Sequence, residues 1–259
     1  MKKSVKWVAA TAAVMLTLSA TAGMTSSADE GTTVKAGFIF LHDENSTYDL
    51  NFLNGAKAAC EKLGIEYMTK TNIPEGQEAY EAACELADAG CNFIFADSFG
   101  HEDYIIEAAK EYPNVQFSHA TGTKAHTEGL DNFHNAFASI YDGRYLAGIV
   151  AGMKTQKNYI GYVAAKGIPE VIRGINAFTL GVQSVNPDAK VEVVFTDTWY
   201  DPTVEKQAAL ELLNKGVDII AQHQDTTAPQ VAAEEKGAYC IGYNFPTSDA
   251  APKAYLTAA

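Results

Sequence analysis

Val191-Glu192-Val193-Val194-Phe195, then Thr196-Asp197-Thr198-Trp199-Tyr200-Asp201, then Pro202-Thr203-Val204-Glu205-Lys206-Gln207-Ala208-Ala209-Leu210-Glu211-Leu212-Leu213 is a complete strand–loop–helix unit. The Val/Phe run bounded by polar residues reads as a strand. Asp201 before Pro202 supplies an N-cap and a first-turn proline, which fixes where the helix begins. Val204, Ala208 and Leu212 fall on one face beside Ala209 and Leu213, the stripe of a helix laid on a sheet. Trp199 and Tyr200 stand in the loop between the two elements.

The same rhythm runs along the chain. Strand-like runs are Val34 to Leu41, Asn92 to Ala96, Val115 to Ser118, Tyr159 to Ala164, Val191 to Phe195, Val217 to Ala221 and Ala238 to Tyr243, with an eighth at Ala254 to Thr257. Helical patterns follow at Tyr48 to Leu63, Gln77 to Ala89, Glu102 to Glu111, Asp142 to Met153, Glu170 to Val185, Pro202 to Lys215 and Thr226 to Lys236. Repeated βα units imply parallel sheets with right-handed crossovers. Eight strands can close as a barrel or split into two open sheets. The long interruption between His119 and Tyr159, which holds a helix with no strand before it, favours two doubly wound α/β lobes. The expected division is 34–125 for lobe I, 126–142 for a crossover and 143–259 for lobe II.

In open α/β sheets ligands bind just beyond the carboxyl ends of the strands. The residues there are His42-Asp43-Glu44-Asn45, Asp97-Ser98-Phe99, His119-Ala120-Thr121, Lys166 to Glu170, Thr198 to Asp201, His223-Gln224-Asp225 and Asn244. A cleft between two lobes would be lined by strand ends from both, with hinge closure as the natural motion.

Composition bounds the function. At 47% apolar and 20% charged residues the chain is globular, and its net charge of -13 disfavours nucleic acid and anionic lipid as partners. Lys2, Lys3 and Lys6, the apolar stretch Trp7 to Leu18 and the small residues Ser19-Ala20-Thr21-Ala22 read as a secretory signal over 1–22. Residues 23–33 read as a flexible lead-in. The four cysteines, Cys60, Cys84, Cys91 and Cys240, lack the paired spacing of zinc or redox sites and read as free thiols.

Each candidate site residue has a plain structural alternative. Trp199 after its strand, and Tyr48 at the matching place in the first lobe, are either core residues or stacking platforms, and position alone does not separate the two. Two rings closing on each other would sandwich a flat heterocycle. Asn45 and Asp49 suit a polar rim able to hydrogen-bond a ligand. The loop Asp43 to Asp49 superficially resembles a calcium loop but lacks glycine at the sixth position, where Tyr48 stands, and glutamate at the twelfth, where Asn54 stands. His42, His119 and His223 read as satisfied polar groups rather than metal ligands, so no metal and no cofactor are expected. There is no G-x-S-x-G elbow, phosphate loop or H-E-x-x-H, so an enzyme is not expected.

The segment Gly167-Ile168-Pro169-Glu170-Val171-Ile172-Arg173-Gly174-Ile175-Asn176-Ala177-Phe178, continued by Leu180 to Pro187, resembles the basic membrane lipoprotein (Med/PnrA-like) family of ABC-transporter substrate-binding proteins. The resemblance extends through Thr196 to Pro202, Gln222-His223-Gln224-Asp225 and Ala232 to Gly237. It implies a two-lobed, type I periplasmic-binding-protein-like fold, a purine-type ligand and a membrane permease as partner. Tyr48 and Trp199 match the family's stacking aromatics, and Asn45 and Asp49 its polar rim. Asn244 stands where nucleoside receptors carry an aspartate and Thr121 near the place of another family acid that grips ribose, so a free base or a differently decorated purine fits better than a nucleoside. Ser98, Phe99, Glu170, Tyr200, His223 and Asp225 complete the expected ligand-binding set. Met24 stands where lipoprotein members carry the acylated cysteine, so the reading is an exported, extracytoplasmic monomer without a lipid anchor. Family chains continue well past Thr257, so a missing C-terminal part is expected. The rival readings are a secreted nucleoside hydrolase and a ligand-sensing receptor on the same fold.

Overall fold

The computed structural model describes residues 33–259. The leader, the lead-in up to Thr32 and Met24 lie outside the described residues. Ten strands alternate with helices: β1 (Lys35–Ile39), α1 (Thr47–Leu63), β2 (Glu66–Lys70), α2 (Gln77–Asp88), β3 (Phe93–Ala96), α3 (Glu102–Glu111), β4 (Gln116–His119), α4 (Ala125–Glu128), β5 (Phe133–Asn135), α5 (Ile140–Lys154), β6 (Tyr159–Ala164), α6 (Pro169–Val185), β7 (Lys190–Phe195), α7 (Pro202–Asn214), β8 (Ile219–His223), α8 (Ala228–Glu235), β9 (Tyr239–Gly242) and β10 (Tyr255–Ala258).

The strands form two five-stranded sheets, ordered β2-β1-β3-β4-β5 and β7-β6-β8-β9-β10. Every pairing is parallel. The two sheets therefore share one topology, in which the first strand of each half lies between its second and third. That order reverses the direction of winding between β1 and β3, and again between β6 and β8. Such switch points are where open α/β sheets leave a crevice. Residues 136–139 carry the chain from β5 into α5, between the two halves.

Strand alternation divides the core. In β6, Tyr162 packs with Phe178, Val182 and Ile219 on the α5/α6 side, while Val163 packs with Leu212, Ile220 and Ala232 on the α7/α8 side. In the first half, Phe38, Phe40, Ala56 and Cys60 pack on the α1 side, and Leu86, Ile94, Ile105 and Phe117 under α2 and α3. Helices α5 and α6 approach through glycine. A Cβ on Gly148 would lie 2.1 Å from the Phe178 carbonyl oxygen, and one on Gly181 2.0 Å from that of Tyr145. All four cysteines are free thiols.

Two strands depart from the sequence reading. β5 precedes α5, so that helix does have a strand before it. Its three residues, of which only Phe133 is buried, carry no readable period. β2 is an edge strand without a fully buried residue, so its Glu66-Tyr67-Met68-Thr69-Lys70 has no apolar run to betray it. No helix of the described residues is long and apolar enough to cross a membrane.

Candidate functional site

The carboxyl ends at the two switch points converge on one small cavity. It is lined by Leu41 and Tyr48 after β1, Ser98 and Phe99 after β3, Thr121 after β4, Glu170 after β6, Trp199 after β7, His223 and Asp225 at β8 and Tyr243 after β9. About 20 Å³ of it can be reached by the centre of a water molecule, room for one or two waters. A planar ligand therefore requires the two halves to part.

Local chemistry sets each side chain. Ser46 caps α1: its hydroxyl accepts from the Asp49 amide at 3.2 Å and donates to Asp49 Oδ2 at 2.5 Å. Asp49 Oδ1 accepts the His42 amide at 2.8 Å. Burial pushes the Asp49 carboxyl up, but the bonds from His42 and Ser46 outweigh it and hold it below the usual range. This network anchors the first turn that carries Tyr48, whose hydroxyl donates to the Asp97 carbonyl at 2.8 Å. Thr121, a β-branched residue, sits in the left-handed region at φ 59°, and its hydroxyl oxygen has no partner. Strained backbone of this kind gathers at functional sites.

The electrostatics are those of a crowded acidic pocket. Burial, then the charges of Asp49, Glu205 and Glu170, push the Asp225 carboxyl well above the usual range. Burial raises Glu170 to about 7 against the opposing pull of Arg144 and Arg173. Burial and then the Asp49 charge likewise raise Asp97, just behind the cavity. Burial, helped by Arg144, depresses His223 so that its ring is neutral, and its 3.5 Å approach to Glu170 is not an ion pair. Glu170 Oε1 and His223 Nδ1 are buried without a hydrogen-bond partner. Buried polar atoms left unpaired are costly, and a ligand that pairs them gains that cost back.

Seven of the expected residues, Tyr48, Ser98, Phe99, Glu170, Trp199, His223 and Asp225, line this cavity together. Asp49 does not, since its oxygens are used in the cap. Asn45 is exposed and bonds Asp43, and with Tyr200 it lines a separate open concavity against α7 and α8. Asn244 lies at the junction of the halves, where its carbonyl accepts from Asn51 Nδ2 at 3.0 Å. Leu41, Thr121 and Tyr243 also line the cavity but were not in the expected ligand-binding set, Thr121 having been singled out only as standing near the place of a family acid. Glu75 is a further omission: its carboxylate accepts from Trp199 Nε1 at 3.0 Å and from Lys166 Nζ at 2.9 Å. It follows β2, so recognising that edge strand and applying the strand-end rule would have found it.

Among the described residues, His42, Asp49 and Asp225 each bring one potential metal-ligating atom within 4.8 Å of the others. Because the Asp49 carboxylate is occupied by its cap, two groups remain, fewer than the three protein ligands of a zinc site.

The model of a family described as ABC transporter substrate-binding protein, PnrA-like, matches residues 40–259. A purine-binding protein of Brucella abortus is 39% identical over 230 residues, covering 87% of this chain and 64% of that protein. A putative ABC transporter glucose-binding protein of Haloferax volcanii is 36% identical over 234 residues, covering 88% of this chain and 57% of that one. The chain thus spans less than two thirds of the length of either relative. A solved solute-binding protein from Aeropyrum pernix superposes with a TM-score of 0.74 at 21% identity, covering 86% of this chain and 66% of that chain.

Proposed function

The chain belongs to the PnrA-like family of ABC-transporter substrate-binding proteins, and we propose that it is an extracytoplasmic receptor that closes on a purine base and presents the closed form to a membrane permease. The observation that carries this reading is the convergence of Tyr48 and Trp199, from different sheets, on one cavity with Glu170 and Asp225. Ring stacking contributes about 1–3 kcal/mol per base face. Micromolar capture needs about -8 kcal/mol, so two faces and a few satisfied hydrogen bonds reach it after ordering costs.

The edges favour a nitrogen heterocycle. Asp225, its carboxyl pushed well above the usual range, and Glu170 face the cavity as hydrogen-bonding partners for the ring nitrogens and amino groups of such a ligand. The Ser98 and Thr121 hydroxyls donate or accept. No lysine or arginine lines the cavity. A phosphorylated ligand would therefore meet carboxyl groups and no cation.

The test is calorimetric titration with adenine, hypoxanthine, guanosine, AMP and glucose. Micromolar binding of a nucleobase, with none of AMP or glucose, supports the reading; binding of glucose alone overturns it. Adenosine and inosine recovered unchanged after prolonged incubation would remove the hydrolase alternative.

A further inference from the structure

Glu75 stands in the turn after β2, in the first half of the molecule, and gathers four donors from both halves. Its Oε1 accepts from the Ser98 hydroxyl at 2.7 Å, the Gly100 amide at 2.9 Å and Trp199 Nε1 at 3.0 Å. Its Oε2 accepts from Lys166 Nζ at 2.9 Å. The first two donors belong to the loop after β3 and hold the carboxylate in place. The last two come from the ends of β7 and β6 in the other half. Lys166 Nζ also lies 5.2 Å from the centre of the Trp199 ring system, so the ammonium touches both the carboxylate and the indole.

We propose that Glu75 is the closure latch and the positioning residue for Trp199: its carboxylate joins the two halves through Lys166 and orients the indole through Nε1, so the ring is set only when the halves are shut. Packing supports a purpose-shaped seat. A Cβ on Gly100 would fall 2.5 Å from the Glu75 carboxyl carbon, so glycine is what lets the backbone amide reach it. Burial alone would raise the Glu75 carboxyl, but Ser98, Lys166 and Gly100 outweigh it and hold it at about 2. The carboxylate is therefore ionised at any physiological pH. An indole N–H needs an acceptor when it leaves water. With the halves apart that acceptor is across the gap and the ring is free to turn. The latch needs no assumption about the ligand, and only the use made of the oriented ring rests on the stacking role proposed above.

Two readouts on the ligand-free chain test it: the radius of gyration from X-ray scattering, and the indole N–H resonance of Trp199 in a ¹H–¹⁵N spectrum. Trp199→Phe distinguishes that resonance from Trp7. Wild type, Glu75→Ala and Lys166→Met are compared, the last leaving the interior of the first half untouched in case Glu75→Ala fails to fold. The latch predicts a larger radius of gyration in both variants and a Trp199 resonance that moves in Glu75→Ala. It also predicts that the double variant is no more open than either single one, because both remove the same tie. Scattering curves that superpose on wild type for a folded variant, whether or not the resonance moves, overturn it. Failure of every purine to bind wild type while the variants open would sink the ligand reading and leave the latch standing.

Discussion

The Thr47 amide donates to the Asp225 carbonyl at 3.0 Å, so the first turn of α1 in one half is hydrogen-bonded to the loop after β8 in the other. Thr47 is the first residue of its helix, where an N–H has no partner within the helix. This bond between the halves thus uses a donor that helix formation leaves over.

Thr47→Pro follows directly. Proline is favoured at a first helical position, and Ser46 before it is already extended at φ -81° and ψ 126°. The substitution should leave stability within about 1 kcal/mol while removing both the amide bond and the weaker 3.4 Å hydroxyl bond to the Asp225 carbonyl and crowding that oxygen. Stopped-flow measurement with adenine should find dissociation roughly five- to tenfold faster, the equivalent of one hydrogen bond. Unchanged dissociation would mean these bonds play no part in holding the closed form.

Trp199→Ala should weaken purine binding at least tenfold, about 1.4 kcal/mol, with the circular dichroism of the fold preserved. Trp199→Phe should fall between wild type and the alanine variant, because a ring face remains while the Nε1 bond to Glu75 that orients it is lost. Wild-type affinity in the alanine variant would remove the stacking role.

Glu170 links stability to pH. Its carboxyl is raised by burial from 4.5 unfolded to about 7 folded. Stability from the protonated form is full below 4.5 and is lost as pH rises through 7. Well above 7 the charged, buried carboxylate costs up to roughly 3 kcal/mol. Glu205, raised by burial to about 7, adds loss in the same window. Urea unfolding at pH 5 and pH 8 should show Glu170→Gln gaining on wild type as pH rises. Parallel curves for the two proteins would contradict the assignment.

Glycine at the α5/α6 contact is tested by a pair of alanine substitutions. Gly181→Ala drives a methyl into the Tyr145 carbonyl and should cost at least about 1–3 kcal/mol. Gly55→Ala in α1 meets nothing within 4 Å and should stabilise by about 0.5–1 kcal/mol. Equal effects in thermal melts would show that the close helix approach does not govern stability.

Legibility in the sequence followed the physics of each element. β1, β3, β6 and β8 are apolar because helices cover both faces, and their boundaries could be read to within about two residues. With them came the loops that carry Tyr48, Ser98, Glu170, His223 and Asp225 to the cavity, while Trp199 came with the Val-rich run of β7. β2 and β5 are sheet edges whose residues, Glu66-Tyr67-Met68-Thr69-Lys70 and Phe133-His134-Asn135, hold no apolar run, whereas β7, an edge without a fully buried residue, is betrayed by Val191, Val193, Val194 and Phe195. Losing β2 also lost Glu75. Asp49 is a different case, placed in the cap of α1 rather than in the cavity lining. A polar residue near a strand end looks the same whether it faces a ligand or caps a helix, and only the hydrogen bonds from His42 and Ser46 distinguish the two.

The decisive experiment is a crystal structure of the chain with adenine bound. The purine should lie between the Tyr48 and Trp199 rings, within hydrogen-bond distance of Glu170 and Asp225, with the two halves drawn over it. A base lodged elsewhere, or either ring turned away into the protein with the base held only by its edges, would contradict this reading.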